Sequence, residues 1–221
     1  MPVNTEKYQE ISAALNGKAT LVAVSKTKPA EDIQALYGLG QRDFGENYVQ
    51  ELTEKQAVLP PDIRWHFIGH LQSNKVKYIA PFVHLIHGVD STKLLKEIDK
   101  QAGKLNKTIQ VLLQVHIARE ETKFGMDEAE LAATLQEAPH LKHVCVRGLM
   151  GMASFSNEPA VVRNEFHYLQ GLFEKYRRPA VNGCDWSVLS MGMSGDYAIA
   201  LEEGSTMVRI GSLLFGERVY P

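Results

Sequence analysis

Short apolar runs alternate with amphipathic stretches along the whole sequence. Eight apolar runs have the length and the β-branched or aromatic content that is typical of strands. They predict strands over residues 20–25, 43–48, 65–70, 83–88, 108–117, 144–150, 186–191 and 207–210. Between them, apolar residues recur at helical spacing. This spacing predicts helices over residues 3–16, 29–39, 47–57, 71–78, 92–102, 127–137, 158–176 and 193–203, and a last apolar run covers 213–215.

This alternation with short loops is typical of α/β proteins, in which helices cover a parallel sheet. Eight strand–helix units fit a closed (β/α)₈ TIM barrel, and an open doubly wound sheet is the alternative. The 221 residues suit one domain over residues 1–221. No linker or shift in composition predicts a second domain.

Charge and hydropathy exclude several classes of function. The net charge is −2, without a basic tract or an acidic tail, so binding to nucleic acid or to a membrane surface through bulk charge is not expected. No apolar run reaches the ~18 residues of a membrane span. The polar N-terminal segment lacks the apolar region of a signal peptide, and the helical faces carry no heptad pattern. We therefore expect a cytoplasmic monomer.

The sequence holds two cysteines, Cys145 and Cys184. They form neither a CxxC pair nor a zinc-type spacing. Cys145 lies in an apolar run and is expected to be a small core residue. This use of cysteine suits a reducing compartment.

The histidines predict no metal site. His84 and His87 are three positions apart, which places them on opposite faces of a strand, so a metal-binding pair is not expected. His66 and His70 bracket another strand end. Only His70 is expected near the mouth of a barrel, and its role stays open.

Lys26 follows the first predicted strand, at the point where α/β proteins place their chemistry. Taken alone, it is more simply a solvated loop lysine. Two later turns change this interpretation.

The first turn covers residues 191–196, Met-Gly-Met-Ser-Gly-Asp, between a strand and a helix. Its glycine N–H groups, the helix N-terminus and the Ser194 hydroxyl favour an anion; the alternative is a small-residue turn with a serine cap. The second turn covers residues 209–212, Arg-Ile-Gly-Ser, after the next strand. Arg209 lies within an apolar strand and requires a partner.

Barrel closure would join these segments, because the first strand then neighbours the eighth. Lys26 and Arg209 could face each other across the mouth. A reactive lysine beside a phosphate cradle suits pyridoxal 5′-phosphate (PLP): the amine forms an imine with the aldehyde, and the turns hold the phosphate. A sugar-phosphate TIM-barrel enzyme would use the same turns but leaves Lys26 unexplained.

Motifs spread over nearly the whole sequence carry a specific family resemblance. They are Val-Ser-Lys-Thr-Lys-Pro at 24–29, Phe-Gly-Glu-Asn-Tyr-Val-Gln-Glu at 44–51, Trp-His-Phe-Ile-Gly-His-Leu-Gln-Ser-Asn-Lys at 65–75, Lys-Phe-Gly at 123–125, Arg-Gly-Leu-Met-Gly-Met at 147–152, Leu-Ser-Met-Gly-Met-Ser-Gly-Asp at 189–196 and Arg-Ile-Gly-Ser-Leu-Leu-Phe-Gly at 209–216. The chain resembles the YggS/PROSC family of pyridoxal phosphate homeostasis proteins.

The resemblance implies a fold and a set of PLP contacts. The fold is a single (β/α)₈ barrel like the N-terminal barrel of alanine racemase (PLP fold type III), without that enzyme's second, β-rich domain. Lys26 matches the PLP lysine, Asn47 the asparagine near the ring, and Arg209 the arginine facing the pyridine nitrogen. The remaining cofactor-binding residues, mostly phosphate contacts, would be Met191, Ser194, Gly195, Gly211 and Ser212.

The resemblance also limits the chemistry. A permanent cation at Arg209 disfavours protonation of the pyridine nitrogen, which makes the ring a weaker electron sink. Racemisation would further need a second proton carrier opposite the lysine. Members of this family are regarded as PLP carriers or regulators without an established catalytic reaction.

We therefore expect a protein of intracellular PLP homeostasis that stores or delivers PLP, with PLP-dependent apo-enzymes as candidate acceptors. The alternative is a PLP-dependent amino-acid racemase of the alanine racemase type. Lys28 and Lys123 are expected to be solvated, although each could instead be a secondary amine that captures PLP.

Overall fold

A computed structural model describes residues 3–120, 123–177 and 184–216. Eight parallel strands form a closed barrel in sequence order. They are β1 (Thr20–Val24), β2 (Asp43–Glu46), β3 (Arg64–Phe67), β4 (Leu85–Val89), β5 (Ile109–Gln114), β6 (Val144–Met150), β7 (Val188–Ser190) and β8 (Met207–Ile210). Strand β1 pairs with β8, with Ala23 opposite Ile210, and this pairing closes the ring. The predicted (β/α)₈ barrel is thus confirmed.

Helices precede, connect and follow the strands on the outside of the barrel. They are α1 (Thr5–Leu15), α2 (Ala30–Gly38), α3 (Val49–Val58), α4 (Val76–Ile79), α5 (Thr92–Lys104), α6 (Glu128–Glu137), α7 (Pro159–Lys175), α8 (Tyr197–Glu202) and α9 (Ser212–Phe215). The predicted helix 71–78 is shorter than expected, because a 3₁₀ turn over Ser73–Lys75 precedes α4. The polar sequence over 118–125 also predicts a loop, which lies partly outside the described residues.

Side-chain caps fix where several helices begin. Ser91, a residue type that favours helix N-caps, accepts a hydrogen bond from the N–H of Leu94 at the start of α5. Asp127 and Glu130 form a reciprocal capping box at the start of α6. Such caps satisfy main-chain donors that have no partner within the helix.

Apolar side chains pack on both sides of the sheet. The larger cluster joins the strands to the surrounding helices and contains the fully buried Phe44, Phe67 and Phe166. A separate cluster joins Val22, Leu85, Leu112, Met150 and Met207, from five different strands. Residues of β1, β4 and β5 can meet in this way only across the barrel interior. The centre of the barrel is therefore filled by side chains.

Cys145 and Cys184 form a disulfide, with their Cα atoms 5.5 Å apart. Cys145 is buried, as expected, but it is not an isolated core thiol. It lies on β6, and Cys184 lies just before β7, which pairs with β6. Disulfides are typical of oxidising compartments. The pairing therefore removes the support that cysteine usage gave to a reducing compartment.

No helix of the described segments combines the length and the apolar character that crossing a membrane would require.

Candidate functional site

A cavity of about 880 Å³ opens where the strands end and their loops begin. Its wall contains seven of the eight residues predicted to bind a cofactor. These are Lys26, Asn47, Ser194, Gly195, Arg209, Gly211 and Ser212. Met191 does not line it, because its side chain is fully buried in the larger hydrophobic cluster. The wall thus combines an amine, a guanidinium, an amide and two turns rich in glycine and serine.

A tight turn holds Lys26 at the end of β1. The N–H of Lys28 donates to the carbonyl of Ser25 at 3.0 Å. Thr27 has φ of +63°, a left-handed conformation that is rare for a β-branched residue. Its N–H donates to Oε1 of Glu51 at 2.6 Å. Such a conformation persists only where the surrounding structure enforces it, so Lys26 is fixed from both sides.

A buried ionic group behind this turn supplies that enforcement. Nζ of Lys55, on α3, donates to the Ser25 carbonyl at 2.8 Å and to carboxylate oxygens of Glu46 and Glu51, each at 2.7 Å. The Ser25 hydroxyl donates to the same Glu46 oxygen at 2.6 Å. Burial raises the pKa of Glu46, and Lys55 opposes the rise. We call Ser25, Glu46, Glu51 and Lys55 the lysine clamp.

Arg209 presents a buried cation to the cavity. One of its terminal nitrogens donates to the carbonyl and the hydroxyl of Ser190, at 2.9 and 2.7 Å, and the other donates to the carbonyl of Gly151 at 3.0 Å. Burial lowers the pKa of Arg209 to about 10, and Asp196 opposes the shift. The guanidinium therefore stays charged at neutral pH.

The two predicted anion turns meet beside Lys26. The N–H of Gly211 donates to the Ser194 hydroxyl at 3.2 Å, which joins the turn after β8 to the turn after β7. Gly192 has φ of +95°, and a Cβ there would lie 2.6 Å from the side chain of Ala200. Only glycine fits that position without a shift. Its backbone freedom lets the first turn reach the second.

The wall residues fit a phosphorylated aromatic aldehyde. Oδ1 of Asn47 is buried without a hydrogen-bond partner within the described part of the chain. Buried polar atoms nearly always have partners, so this oxygen is suited to a donor on a bound molecule. Lys26 offers an amine for an aldehyde, Arg209 a cation for a ring nitrogen, and the turns N–H and O–H donors for a phosphate.

Two other lysines also line this cavity. Nζ of Lys28 donates to the carbonyl of Phe215 at 2.8 Å. Nζ of Lys123 donates to the carbonyl of Ala153 at 2.5 Å and lies 3.4 Å from the Glu120 carboxylate. Both amines are therefore engaged with the protein. Their use as secondary PLP-capturing amines stays a prediction.

The loop between β6 and α7 forms a wall that sequence reasoning missed. Residues 152–157 all line the cavity. The sequence predicts a loop over 153–157 but does not place that loop in the wall of a site. The N–H and hydroxyl of Ser154 bind the two carboxylate oxygens of Glu165, each at 2.7 Å, which anchors the loop on α7. Barrel topology was the available signal, because every loop after a parallel strand reaches the same rim.

The histidine expectations need correction. The rings of His84 and His87 both pack against His66, with centroids 5.4 and 5.2 Å away. They do not lie on opposite faces, because β4 begins only at Leu85 and His84 precedes it. His70 binds Asp90 at 3.0 Å and stacks on Phe124; it lies outside the cavity wall.

Donor atoms of Asp43, His66 and His84 lie within 4.8 Å of one another. Arg64 already pairs with the Asp43 carboxylate, and this cation disfavours a metal ion there. We assign no metal to the group.

The half-buried His84 and the buried His87 predict a loss of stability in mild acid. Burial, helped by His66, Arg64 and Arg147 and opposed by Asp43, lowers the pKa of His84 to about 4. Burial, helped by His66, Arg209 and His84, holds the pKa of His87 well below 6.5. The unfolded chain then binds protons first as pH falls below 6.5. The contribution of the neutral histidines to the free energy of unfolding is therefore fully present above that pH. It declines as the pH falls toward the pKa values of the folded state.

Urea unfolding at a series of pH values between about 7 and 4 tests this expectation. Over this pH series, the parent chain should lose about 2 kcal/mol more of its free energy of unfolding than His84→Gln loses. His140→Gln, at an exposed histidine, is the control and should follow the parent. Parallel pH profiles for His84→Gln and the parent would contradict the assignment.

Comparisons with known proteins agree with this geometry. Residues 4–219 match the family model for the N-terminal domain of alanine racemase. The chain is 43% identical over 207 residues to the pyridoxal phosphate homeostasis protein of Aquifex aeolicus, covering 91% of this chain and 88% of the relative. It is 42% identical over 214 residues to the human protein of that name, covering 90% and 77%.

Solved structures show the same fold. PipY of Synechococcus elongatus without PLP is 38% identical, with a TM-score of 0.89, covering 96% of this chain and 99% of that one. PipY with PLP bound has a TM-score of 0.84 at 36% identity and the same coverage. Alanine racemase from Bartonella henselae is 16% identical, with a TM-score of 0.73, covering 97% of this chain and 60% of that one. The last similarity concerns the fold alone.

Proposed function

The chain belongs to the family of pyridoxal phosphate homeostasis proteins, and we propose that it binds PLP in the cavity through a covalent bond to Lys26. The observation that carries this proposal is that the Lys26 amine, the Arg209 cation and both serine–glycine turns line one cavity. When bound, PLP supplies an aldehyde carbon that an amine can attack. The protein then stores the cofactor or delivers it.

Each wall residue has a proposed part in holding PLP. Ser194, Gly195, Gly211 and Ser212 bind the phosphate through main-chain N–H groups and hydroxyls. Asn47 lies near the ring and accepts a hydrogen bond through its unpaired amide oxygen. Arg209 faces the pyridine nitrogen. We leave Met191 out of this set because its side chain is buried in the core.

We propose that binding, rather than turnover, is the function. Arg209 keeps its charge and so disfavours a proton on the pyridine nitrogen. The described residues of the cavity wall include no tyrosine or histidine that could serve as a second proton carrier opposite Lys26. PLP-dependent apo-enzymes are the proposed acceptors. One domain over residues 1–221, a monomeric state and a cytoplasmic location stay predictions from the sequence.

Titration of the purified chain with PLP tests the binding proposal. We expect an absorbance band near the visible edge to saturate at equimolar PLP. Pyridoxal, which lacks the phosphate, should bind more weakly if the turns hold that group. An unchanged spectrum, together with an unchanged mass after borohydride reduction, would rule out covalent binding. Inversion of an L-amino acid at an enzyme-like rate would rule out a function without catalysis.

A further inference from the structure

A row of buried polar side chains runs through the barrel interior, away from the cavity. Its links are Arg209 to the Ser190 hydroxyl at 2.7 Å, Ser190 to Nδ1 of His87 at 3.1 Å, Nε2 of His87 to Nδ1 of His66 at 2.9 Å, and Nε2 of His66 to Asp43 at 3.0 Å. None of these residues is more than 7% exposed. Because Ser190 lies on β7 and His87 on β4, their link crosses the barrel. We call these five residues the polar chain.

When both histidines are neutral, the groups at the two ends of the polar chain set the direction of every hydrogen bond. Arg209 can only donate, so the Ser190 oxygen accepts and its hydrogen is free to go to Nδ1 of His87. A neutral His87 then carries its proton on Nε2 and donates to Nδ1 of His66. His66 in turn donates from Nε2 to the Asp43 carboxylate, which can only accept. Each residue thus donates toward Asp43.

The opposite direction leaves a mismatch. If neutral His87 carried its proton on Nδ1, its Nε2 would have to accept from Nδ1 of His66. The bare Nε2 of neutral His66 would then face the acceptor oxygen of Asp43. Two buried acceptors in contact have no proton to share, which costs about 1–3 kcal/mol. The tautomer of His87 is thus tied to the charge of Asp43.

Hydrogen-bond donors keep Asp43 ionised. Burial works to raise the pKa of Asp43, but hydrogen bonds from Arg64 and His66 outweigh it and hold this pKa well below its usual range. His84 packs against His66 on the same side. At neutral pH the Asp43 carboxylate is therefore always ionised and can only accept hydrogen bonds.

We propose that the polar chain fixes the Arg209 guanidinium for the bound cofactor, so that His87 and Ser190 are positioning residues for PLP although neither lines the cavity. This inference rests on the proposed function. His87 fixes the Ser190 hydroxyl, and Ser190 holds one terminal nitrogen of Arg209 through two acceptors. His87 thereby sets the position of the cation facing the ring through Ser190, without touching the cavity.

The direction of the hydrogen bonds can be tested without PLP. Nitrogen NMR of protein labelled at histidine distinguishes the two tautomers. We expect both His87 and His66 to carry their proton on Nε2. In Asp43→Asn, whose amide can donate as well as accept, this preference should be lost. Protonation of His87 on Nδ1 in the parent chain would overturn the inference.

A matched pair of substitutions at His87 tests its effect on binding. An asparagine amide reaches about the position of Nδ1 and can still accept from Ser190, whereas a glutamine amide reaches about the position of Nε2 and contacts only His66. We expect His87→Gln and Ser190→Ala each to weaken PLP binding about tenfold. His87→Asn should stay near the parent. Equal weakening by Asn and Gln would show that His87 acts only through packing.

Two controls separate positioning from a general loss of stability. Ser205 is a buried serine whose hydroxyl, among the described residues, bonds only to main-chain carbonyls. Ser205→Ala should therefore leave PLP affinity unchanged. The double variant Ser190→Ala/His87→Gln should bind PLP no more weakly than the single variant with the lower affinity. Both substitutions interrupt the same polar chain, so the second one removes nothing further. Additive losses would overturn the inference. Failure of the parent chain to bind PLP would instead overturn the proposed function and leave the NMR result standing.

Discussion

Replacement of Lys26 by alanine is expected to abolish covalent attachment of PLP while the barrel stays folded. Lys26 lies in the loop after β1 and lines the cavity, so its side chain contributes little to the hydrophobic core. Substitutions at such sites usually change stability by less than about 0.5 kcal/mol. The variant should lose the absorbance band and show no mass increase after reduction with borohydride, while its unfolding midpoint stays near that of the parent.

Lys28→Ala and Lys123→Ala are the matched controls for Lys26→Ala. Both lysines line the same cavity, but their amines bond to the main-chain carbonyls of Phe215 and Ala153. Each control should keep the absorbance band and the mass increase. A mass increase that persists in Lys26→Ala and maps to another lysine would contradict the assignment of the reactive amine.

Replacement of Lys55 by methionine should have the largest effect on stability. It leaves the Glu46 carboxyl, which is fully buried, without its cation. Removing one partner of a buried ion pair costs about 3 kcal/mol or more, and we expect a loss of that size in the free energy of unfolding. The turn around Lys26 also loses a donor at Ser25, so PLP attachment should weaken as well.

An exposed ion pair provides the control for Lys55→Met. Lys96 and Glu137 are bonded at 2.7 Å, but their side chains are 53% and 46% exposed. Lys96→Met should therefore cost less than about 1 kcal/mol. Adding Glu46→Gln to Lys55→Met should restore part of the lost stability, because it removes the stranded carboxyl. Equal losses in the free energy of unfolding for the Lys55 and Lys96 variants would show that burial of the ion pair does not increase its contribution to stability.

The barrel could be predicted from the sequence because its signal is local. The bounds predicted for β6 and β8, 144–150 and 207–210, agree with the structure. Where apolar residues continue into the following loop, the predicted strand is too long. An example is β5, which covers Ile109–Gln114 rather than the predicted 108–117. There, apolar residues continue past the last ladder bond, and the hydrophobic pattern cannot mark where pairing stops.

The site was predictable only in part. Lys26, Ser194 and Gly211 stand in turns whose residue types indicate their chemistry. Lys55 and Ser190 carry no such mark: a helix lysine suggests a solvated side chain, and a serine in a strand suggests nothing specific. Their roles depend on which side chains face them across the packed barrel, and hydrophobic alternation shows burial without showing partners.

Long-range pairing explains the missed disulfide in the same way. Cys145 and Cys184 are 39 positions apart, and neither spacing nor neighbours link them. The parallel pairing of β6 with β7 brings the segments together. A known strand order would have been enough to place the two cysteines side by side.

The hydrogen bond between the Gly211 N–H and the Ser194 hydroxyl affects how tightly a phosphate ligand is bound. A phosphate that accepts from Gly211 exchanges one acceptor for another, so it gains only the difference between two hydrogen bonds. The exchange also runs backwards. When the phosphate dissociates, the Gly211 N–H bonds to the Ser194 hydroxyl again, so this donor is not left without a partner. This reversibility is what a protein that hands its ligand onward requires and a permanent store does not.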